Sequence, residues 1–256
     1  MKSISNLNGK NVFITGGLSG IGKKCALYAA RDGANVIVAD LDSPAKDATM
    51  AEIKKWNAKA IFIHCNVSNF KEVESAIAEA VNVFGSLDVA LNNAGIGGES
   101  SRIGDMTEKA WHDVIAVNLN CVFNCMKHEL YQMSKQKSGV IINMSSILGK
   151  VGFANAGHYV AAKHGVIGLT QTAAMEYALE GIRINAICPG FVSTPLLESG
   201  GISQNAEVKT MIENLHPMKR FGDDDEIANV FLFLATEGSS FMTGTAVEVD
   251  GGYLAQ

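Results

Sequence analysis

Proline is scarce in this 256-residue chain, with only 4, and charged side chains make up 18% against 47% hydrophobic ones. That balance excludes a disordered or low-complexity protein and leaves enough apolar material for a sizeable core. No Cys-x-x-Cys occurs, and the five cysteines (Cys25, Cys65, Cys121, Cys125, Cys188) are scattered. An odd number without metal-type spacing suggests neither a disulfide framework nor a zinc site, and fits a reducing, intracellular compartment. Cys121 and Cys125, four apart in an apolar context, read as core packing.

Basic clusters are missing too, and the net charge of −5 gives no general attraction to nucleic acid or an anionic membrane. No segment is long enough to span a bilayer. The short apolar run before Gly16 is no signal peptide. The expectation is a soluble cytoplasmic protein with neither nucleic acid nor membrane as partner. Linker composition, internal repeats and biased tracts are absent as well, so residues 1–256 read as one domain.

What is present is alternation. Short β-rich apolar runs (VFIT, NVIVAD, KAIFIHC, DVALNNAG, GVIINM, GIRINAIC, TAVEVD) are separated by helical segments. The helices are expected over KKCALYAARDG and about residues 43–57, 69–84, 108–134, 156–180 and 225–236. Apolar strands between helices predict an α/β fold, a doubly wound, seven-stranded parallel sheet covered on both faces. The irregular stretch from Pro189 to Pro217 follows the carboxyl end of a strand, where such sheets bind ligands, and is the candidate substrate lid, about 190–217.

Two constellations carry chemistry. After the first strand comes a glycine-rich turn with Gly16, Gly20 and Gly22 and then a helix, the context of a phosphate-binding loop. The second strand ends in Asp40, eighteen residues after Gly22, near the distance at which a dinucleotide-binding unit places a carboxylate on a ribose. Further on, residues 145–163 hold Ser145, Ser146, Tyr159 and Lys163. Tyr159 and Lys163 are four apart and share one helical face. Tyrosine titrates near ~10, and a nearby cation favours the phenolate, so Lys163 is expected to lower Tyr159 for acid/base work. A Y-x-x-x-K motif alone is common; its context gives it weight.

That context is Thr15 to Gly22, Asn92-Asn93-Ala94-Gly95, Ser146, Tyr159-x-x-x-Lys163 and Pro189-Gly190, in that order. Together they closely resemble the classical short-chain dehydrogenase/reductase family, from about Asn8 to Tyr253. The resemblance implies a Rossmann-type NAD(P)-binding domain and an oxidoreductase, with Gly16, Ser19, Gly20, Ile21 and Gly22 as its pyrophosphate loop. Asp40 would accept from both adenosine ribose hydroxyls of NAD and repel the extra phosphate of NADP. Its neighbour Leu41 is uncharged, and Ser19 stands where NADP-preferring members often carry a basic residue, so NAD is the expected cofactor. Asn66-Val67 falls where the family has Asp-Val beside the adenine. Asn93, Ala94 and Gly95 would pass the middle of the cofactor, and Val192 and Thr194, after Pro189 and Gly190, its carboxamide.

By the same resemblance Tyr159 exchanges the proton with the substrate oxygen and Ser146 stabilises that oxygen. Lys163 holds the nicotinamide ribose, and Asn118 supports a proton relay, with Asn120 its competitor. The family's spacing to the tyrosine favours Ser146 over Ser145. The expected pocket is mostly apolar, with Ile96, Ile147, Leu148, Phe153, Phe191 and Leu196, unless Glu99 and Arg102 turn inward. His158 is given a structural or substrate-side role, because adjacent helical residues point apart. The acids Asp223 to Glu226 read as helix capping rather than as a metal site. The implied reaction is NAD-dependent interconversion of a secondary alcohol and a ketone, with 3-oxoacyl-thioester reduction and a non-enzymatic NAD(H)-binding scaffold as alternatives. The implied assembly is a homotetramer.

Overall fold

The sheet puts its first strand in the middle. A computed structural model, which describes residues 6–56, 59–199 and 205–256, has seven parallel strands in the order β3-β2-β1-β4-β5-β6-β7. These are β1 (Asn11–Thr15), β2 (Asn35–Asp40), β3 (Ala60–His64), β4 (Val89–Asn92), β5 (Gly139–Met144), β6 (Ile182–Pro189) and β7 (Ala246–Val249). Strand order reverses between β1 and β4, which opens a crevice above their carboxyl ends.

Successive side chains on a strand point to opposite faces, and the core divides accordingly. Val12, Ile14, Val36 and Val38 enter one buried cluster, where they meet α1 (Gly20–Arg31), α2 (Lys46–Lys54) and a later helix, Asp224–Ala235. Phe13, Ile37 and Ala39 enter the other, against α3 (Phe70–Phe84) and the long helices that follow. Both faces being covered is why the strands read as continuous apolar runs.

Helix boundaries follow local chemistry. Asn69 caps α3 by accepting from the amides of Lys71 and Glu72. The second helix starts later than expected because Ser43 closes a turn onto the Ala45 amide; its expected end at Asn57 lies outside the described residues. The single long helix expected over 108–134 is instead α4 (Glu108–Ile115), a π-helical turn Ala116–Asn120, and α5 (Cys121–Gln136). Such a turn inserts a residue into the helical register, and it recurs at functional sites.

The segment expected over 156–180 is α6 (Gly157–Tyr177), closed by a 3₁₀ turn, Ala178–Glu180. Past β6 come α7 (Pro195–Ser199) and α8 (Ala206–Asn214), the described parts of the expected lid; its residues 200–204 lie outside the described residues. The acids before the last helix, α9 (Asp224–Ala235), do cap it: the Asp223 amide donates to Glu226 in a capping box, and Arg220 grips Glu226 with two bonds of 2.8 and 2.7 Å. That fork holds Glu226 down at about 2. At the other end Arg183, from β6, donates to the carbonyls of Leu234 and Thr236 and fastens α9 to the sheet. All five cysteines are buried and free. No helix among the described residues is long and apolar enough to cross a membrane.

Candidate active site

One cavity occupies the crevice, and it gathers residues from most of the chain. Gly16, Ser19, Gly20, Ile21, Asp40 and Leu41 come from the first two βα units, Asn66 and Val67 from the end of β3, and Asn93, Ala94 and Gly95 from the end of β4. Ser146, Tyr159, Lys163, Pro189, Gly190, Val192 and Thr194 complete it. Of the expected site residues, Gly22, Asn118, Leu148, Phe153 and Phe191 do not line it, and neither does Ile147 of the expected pocket, which is buried beside Leu148.

Each of those five has a physical place. A Cβ on Gly22 would lie 2.1 Å from the Gly16 carbonyl oxygen, so this glycine lets α1 pack onto its own loop rather than admitting a ligand. Asn118, fully buried on the π-helical turn, accepts from the Ile96 amide and donates to the Ile96 carbonyl, both at 2.8 Å. Its side chain clamps the loop after β4; Asn120 is exposed. Leu148 is buried in a 3₁₀ turn. Phe191 turns into an aromatic group with Phe153, His216 and Tyr253, its ring centre 5.8 Å from that of Phe153, and lines a neighbouring cavity.

The cofactor end fits a dinucleotide. α1 begins with no side-chain cap at Ser19 and no acid in its first turn, which leaves that turn to an anion. Asp40 is fixed at the rim by accepting from the Leu18 amide at 3.0 Å and from the Leu41 amide at 2.8 Å. A carboxylate has about four lone-pair sites, so acceptors remain for ribose hydroxyls. Asn93 ties the two halves together, its amide donating to Thr15 Oγ1 and its side chain to the carbonyls of Thr15 and Gly16. Exposed Asn66 spends its Oδ1 on the amide and hydroxyl of Ser68, and so presents its NH₂ rather than its carbonyl to a base.

At the other end the two serines separate. Ser145 donates to the Lys163 carbonyl at 2.9 Å, a brace within the scaffold. Ser146 stands beside the Tyr159 hydroxyl, near enough to oppose the rise of its pKa, and both line the cavity. Lys163, 4% exposed, donates to the Met144 carbonyl at 2.8 Å and sits 5.5 Å from the Tyr159 ring centre.

The expected pKa effect is corrected here. Burial pushes the Tyr159 phenol up to about 12, opposed only by Ser146, and burial also brings Lys163 down to about 8. Spacing suggested a charge effect; withdrawal of both groups from water outweighs it. His158 is a double tether. Its Nδ1 accepts from the Tyr159 amide at 2.7 Å, and its Nε2 meets the Glu99 carbonyl at 3.1 Å, joining the start of α6 to the loop after β4. Sequence reasoning did not identify Cys65, Val117, Met144 and Pro195 as lining residues. Only adjacency to the motifs, as with Met144 before Ser145, pointed to any of them.

Comparison with known proteins agrees with this fold. The family described as enoyl-(acyl carrier protein) reductase matches residues 16–254. Cyclohexanol dehydrogenase of Acinetobacter sp. is 41% identical over 256 residues, covering 100% of this chain and 99% of that protein. A 3-oxoacyl-[acyl-carrier-protein] reductase of Staphylococcus aureus is 42% identical over 244 residues, covering 95% and 97%. Among solved structures, carveol dehydrogenase from Mycobacterium avium in complex with NAD aligns with a TM-score of 0.94 at 29% identity, covering 98% of this chain and 100% of that one.

Proposed function

This chain belongs to the classical short-chain dehydrogenase/reductase family, and we propose that it is an NAD-dependent oxidoreductase interconverting an apolar, cyclic secondary alcohol and its ketone. The observation that carries this reading is the Ser146–Tyr159 hydroxyl pair in the same cavity as the Asp40 carboxylate. A bound nicotinamide dinucleotide would supply hydride transfer. In ketone reduction Tyr159, protonated across neutral pH, gives its proton to the substrate oxygen, and in alcohol oxidation it takes one back. Ser146 holds that oxygen with a hydrogen bond that strengthens as negative charge grows. Lys163 would hold the ribose of that dinucleotide, and its ammonium stands near the phenol ring. Asn118 and His158 act through others, by holding the loop that carries Ile96 and Glu99.

The wall supports this substrate class. Ile96 and Leu196 face the cavity, while Glu99 and Arg102 stay exposed. Arg102 lies 3.9 Å from Asp105 instead. The cyclohexanol dehydrogenase relative supports an alicyclic substrate.

The Staphylococcus relative favours a second reading, reduction of 3-oxoacyl thioesters. An acidic carrier would need free cations near the lid, and three basic residues stand there. Arg220 is held by Glu226, Lys209 lies 3.8 Å from Glu213, and Lys219 donates to the Asn214 carbonyl. The decisive assay follows absorbance of the reduced cofactor with cyclohexanone and with an acetoacetyl thioester, each with NADH and NADPH. We expect kcat/KM to favour NADH and the cyclic ketone by at least ~10-fold each; a thioester preferred with NADPH would replace the first reading by the second.

We carry a homotetramer as the assembly. Phe123 and Tyr131 on α5 and Met175 on α6 are 51%, 66% and 84% exposed, apolar area that symmetry mates would cover. Light scattering is expected to give four copies, and a monomer would remove the proposal.

A further inference from the structure

Below the cofactor loop, at the end of β4, lies a buried polar cluster that the reaction leaves unused. Glu129 on α5 is 0% exposed and Asn92 is 2% exposed. Asn92 spends both amide hydrogens, on Glu129 Oε2 at 3.0 Å and on Asn143 Oδ1 at 3.0 Å. Asn143 is its register partner on β5 and donates in turn to Thr170 Oγ1, whose hydroxyl donates to the Val166 carbonyl. Every donor is therefore committed. Two acceptors of this cluster are left with no partner, Glu129 Oε1 and Asn92 Oδ1, and the neighbouring His128 Nε2 is likewise unpartnered.

The two acceptors belong to the same two side chains that already share one hydrogen bond. Buried acceptors rarely go unpaired, and no cation contributes to the surroundings of Glu129. A single proton shared between them would satisfy both atoms. We propose that Glu129 is a neutral carboxylic acid whose Oε1 donates to Asn92 Oδ1, closing a cyclic acid–amide pair that positions the end of β4 and, through it, Asn93, Ala94 and Gly95. The proton assignment is independent of the reaction; its consequence for binding rests on the dinucleotide reading.

Burial supports the neutral form, because it pushes Glu129 up to about 8 against the opposing hydrogen bond from Asn92. The titratable neighbours do not compensate a charge there. Cys121 and Cys125 on α5 and Cys65 after β3 are thiols raised by burial. Lys163 on α6 acts on Cys121, while His128 stacks edge-on against Phe70 of α3 with Glu74 and Lys127 as its charged neighbours.

The sign follows from linkage. The folded state keeps the Glu129 proton that the unfolded chain loses near 4.5, so this contribution is full below pH 4.5 and is lost as pH rises to about 8. Glu129→Gln keeps the cyclic pairing, with an amide hydrogen in place of the acid proton, and removes the titration. Melting temperature of the wild type is expected to fall relative to Glu129→Gln by roughly 3–5 °C per pH unit across that window and then level off. Infrared spectra of wild type labelled with ¹³C-glutamate should show the shifted carbonyl stretch of one protonated carboxyl near neutral pH, lost on alkaline titration and absent from the variant.

Parallel melting curves for the two proteins, or no protonated carboxyl band, would overturn the proton assignment. If the variant does not fold, the wild-type spectrum decides alone. NADH affinity should weaken on alkaline titration more in wild type than in Glu129→Gln. A ratio between the two that does not change with pH would overturn the positioning role while leaving the proton in place.

Discussion

Tyr159→Phe is expected to lower kcat for ketone reduction and alcohol oxidation alike by about 10²–10⁴-fold, the range of a lost general acid/base, and to leave NADH affinity essentially unchanged. The substitution removes one oxygen. The ring that fills the space beside Lys163 stays, and Lys163 keeps its bond to the Met144 carbonyl. Ser146 loses a polar neighbour but remains placed by the Leu148 amide. The pH dependence should be directional. With the phenol pushed up to about 12, reduction has its acid ready throughout the neutral range, whereas oxidation needs the phenolate and should climb with pH. Stopped-flow turnover in both directions, with NADH binding followed by fluorescence, measures these quantities. A phenylalanine variant that turns over within tenfold of wild type would take the proton-transfer role away from Tyr159.

The second large effect belongs to Asp40. Replacing it with serine should lower kcat/KM for NAD and raise it for NADP, changing their ratio by roughly 10²–10³-fold. Like charges about 4 Å apart with water around them cost ~1 kcal/mol, and the hydrogen bonds a carboxylate accepts from ribose hydroxyls contribute ~1.5–3 kcal/mol. Asp40 also fixes the loop through the Leu18 amide, so lost charge must be separated from lost support. Asp40→Asn does that, because its Oδ1 can still accept from Leu18. If charge sets the choice, the asparagine variant gains activity with NADP; if it loses activity with both cofactors equally, Asp40 is a brace and the cofactor preference lies elsewhere. Initial rates with each cofactor at saturating alcohol separate the two.

How much of this was legible depends on whether the signal was local. The strands were readable because parallel strands buried on both faces must be apolar throughout, and NVIVAD and GVIINM emerge with the expected limits. The cavity was readable because its walls are loops at strand ends, which lie next to the motifs in sequence. The π-helical turn was not, since one inserted residue barely disturbs a helical pattern over a long window. The direction of the Tyr159 shift was missed because desolvation is a property of the whole fold, while four-residue spacing shows only which charge is near. Glu129 was missed for the same reason: an acid within KHELYQ looks like any solvated helix residue until β4 is laid against it.

The separation of β1 from its second neighbour sets an order on assembly during synthesis. β1 can pair with β2 once residue 40 has emerged, but its other edge waits for Val89–Asn92. Until then a row of main-chain donors and acceptors stands bare along the strand that will become the centre of the sheet. The dinucleotide cradle is thus drafted early from the first two βα units, while Tyr159 and Lys163 follow only after β5, and Val192 only after β6. An N-terminal fragment that ends before α6 lacks the chemistry, even where it already holds the shape for a cofactor.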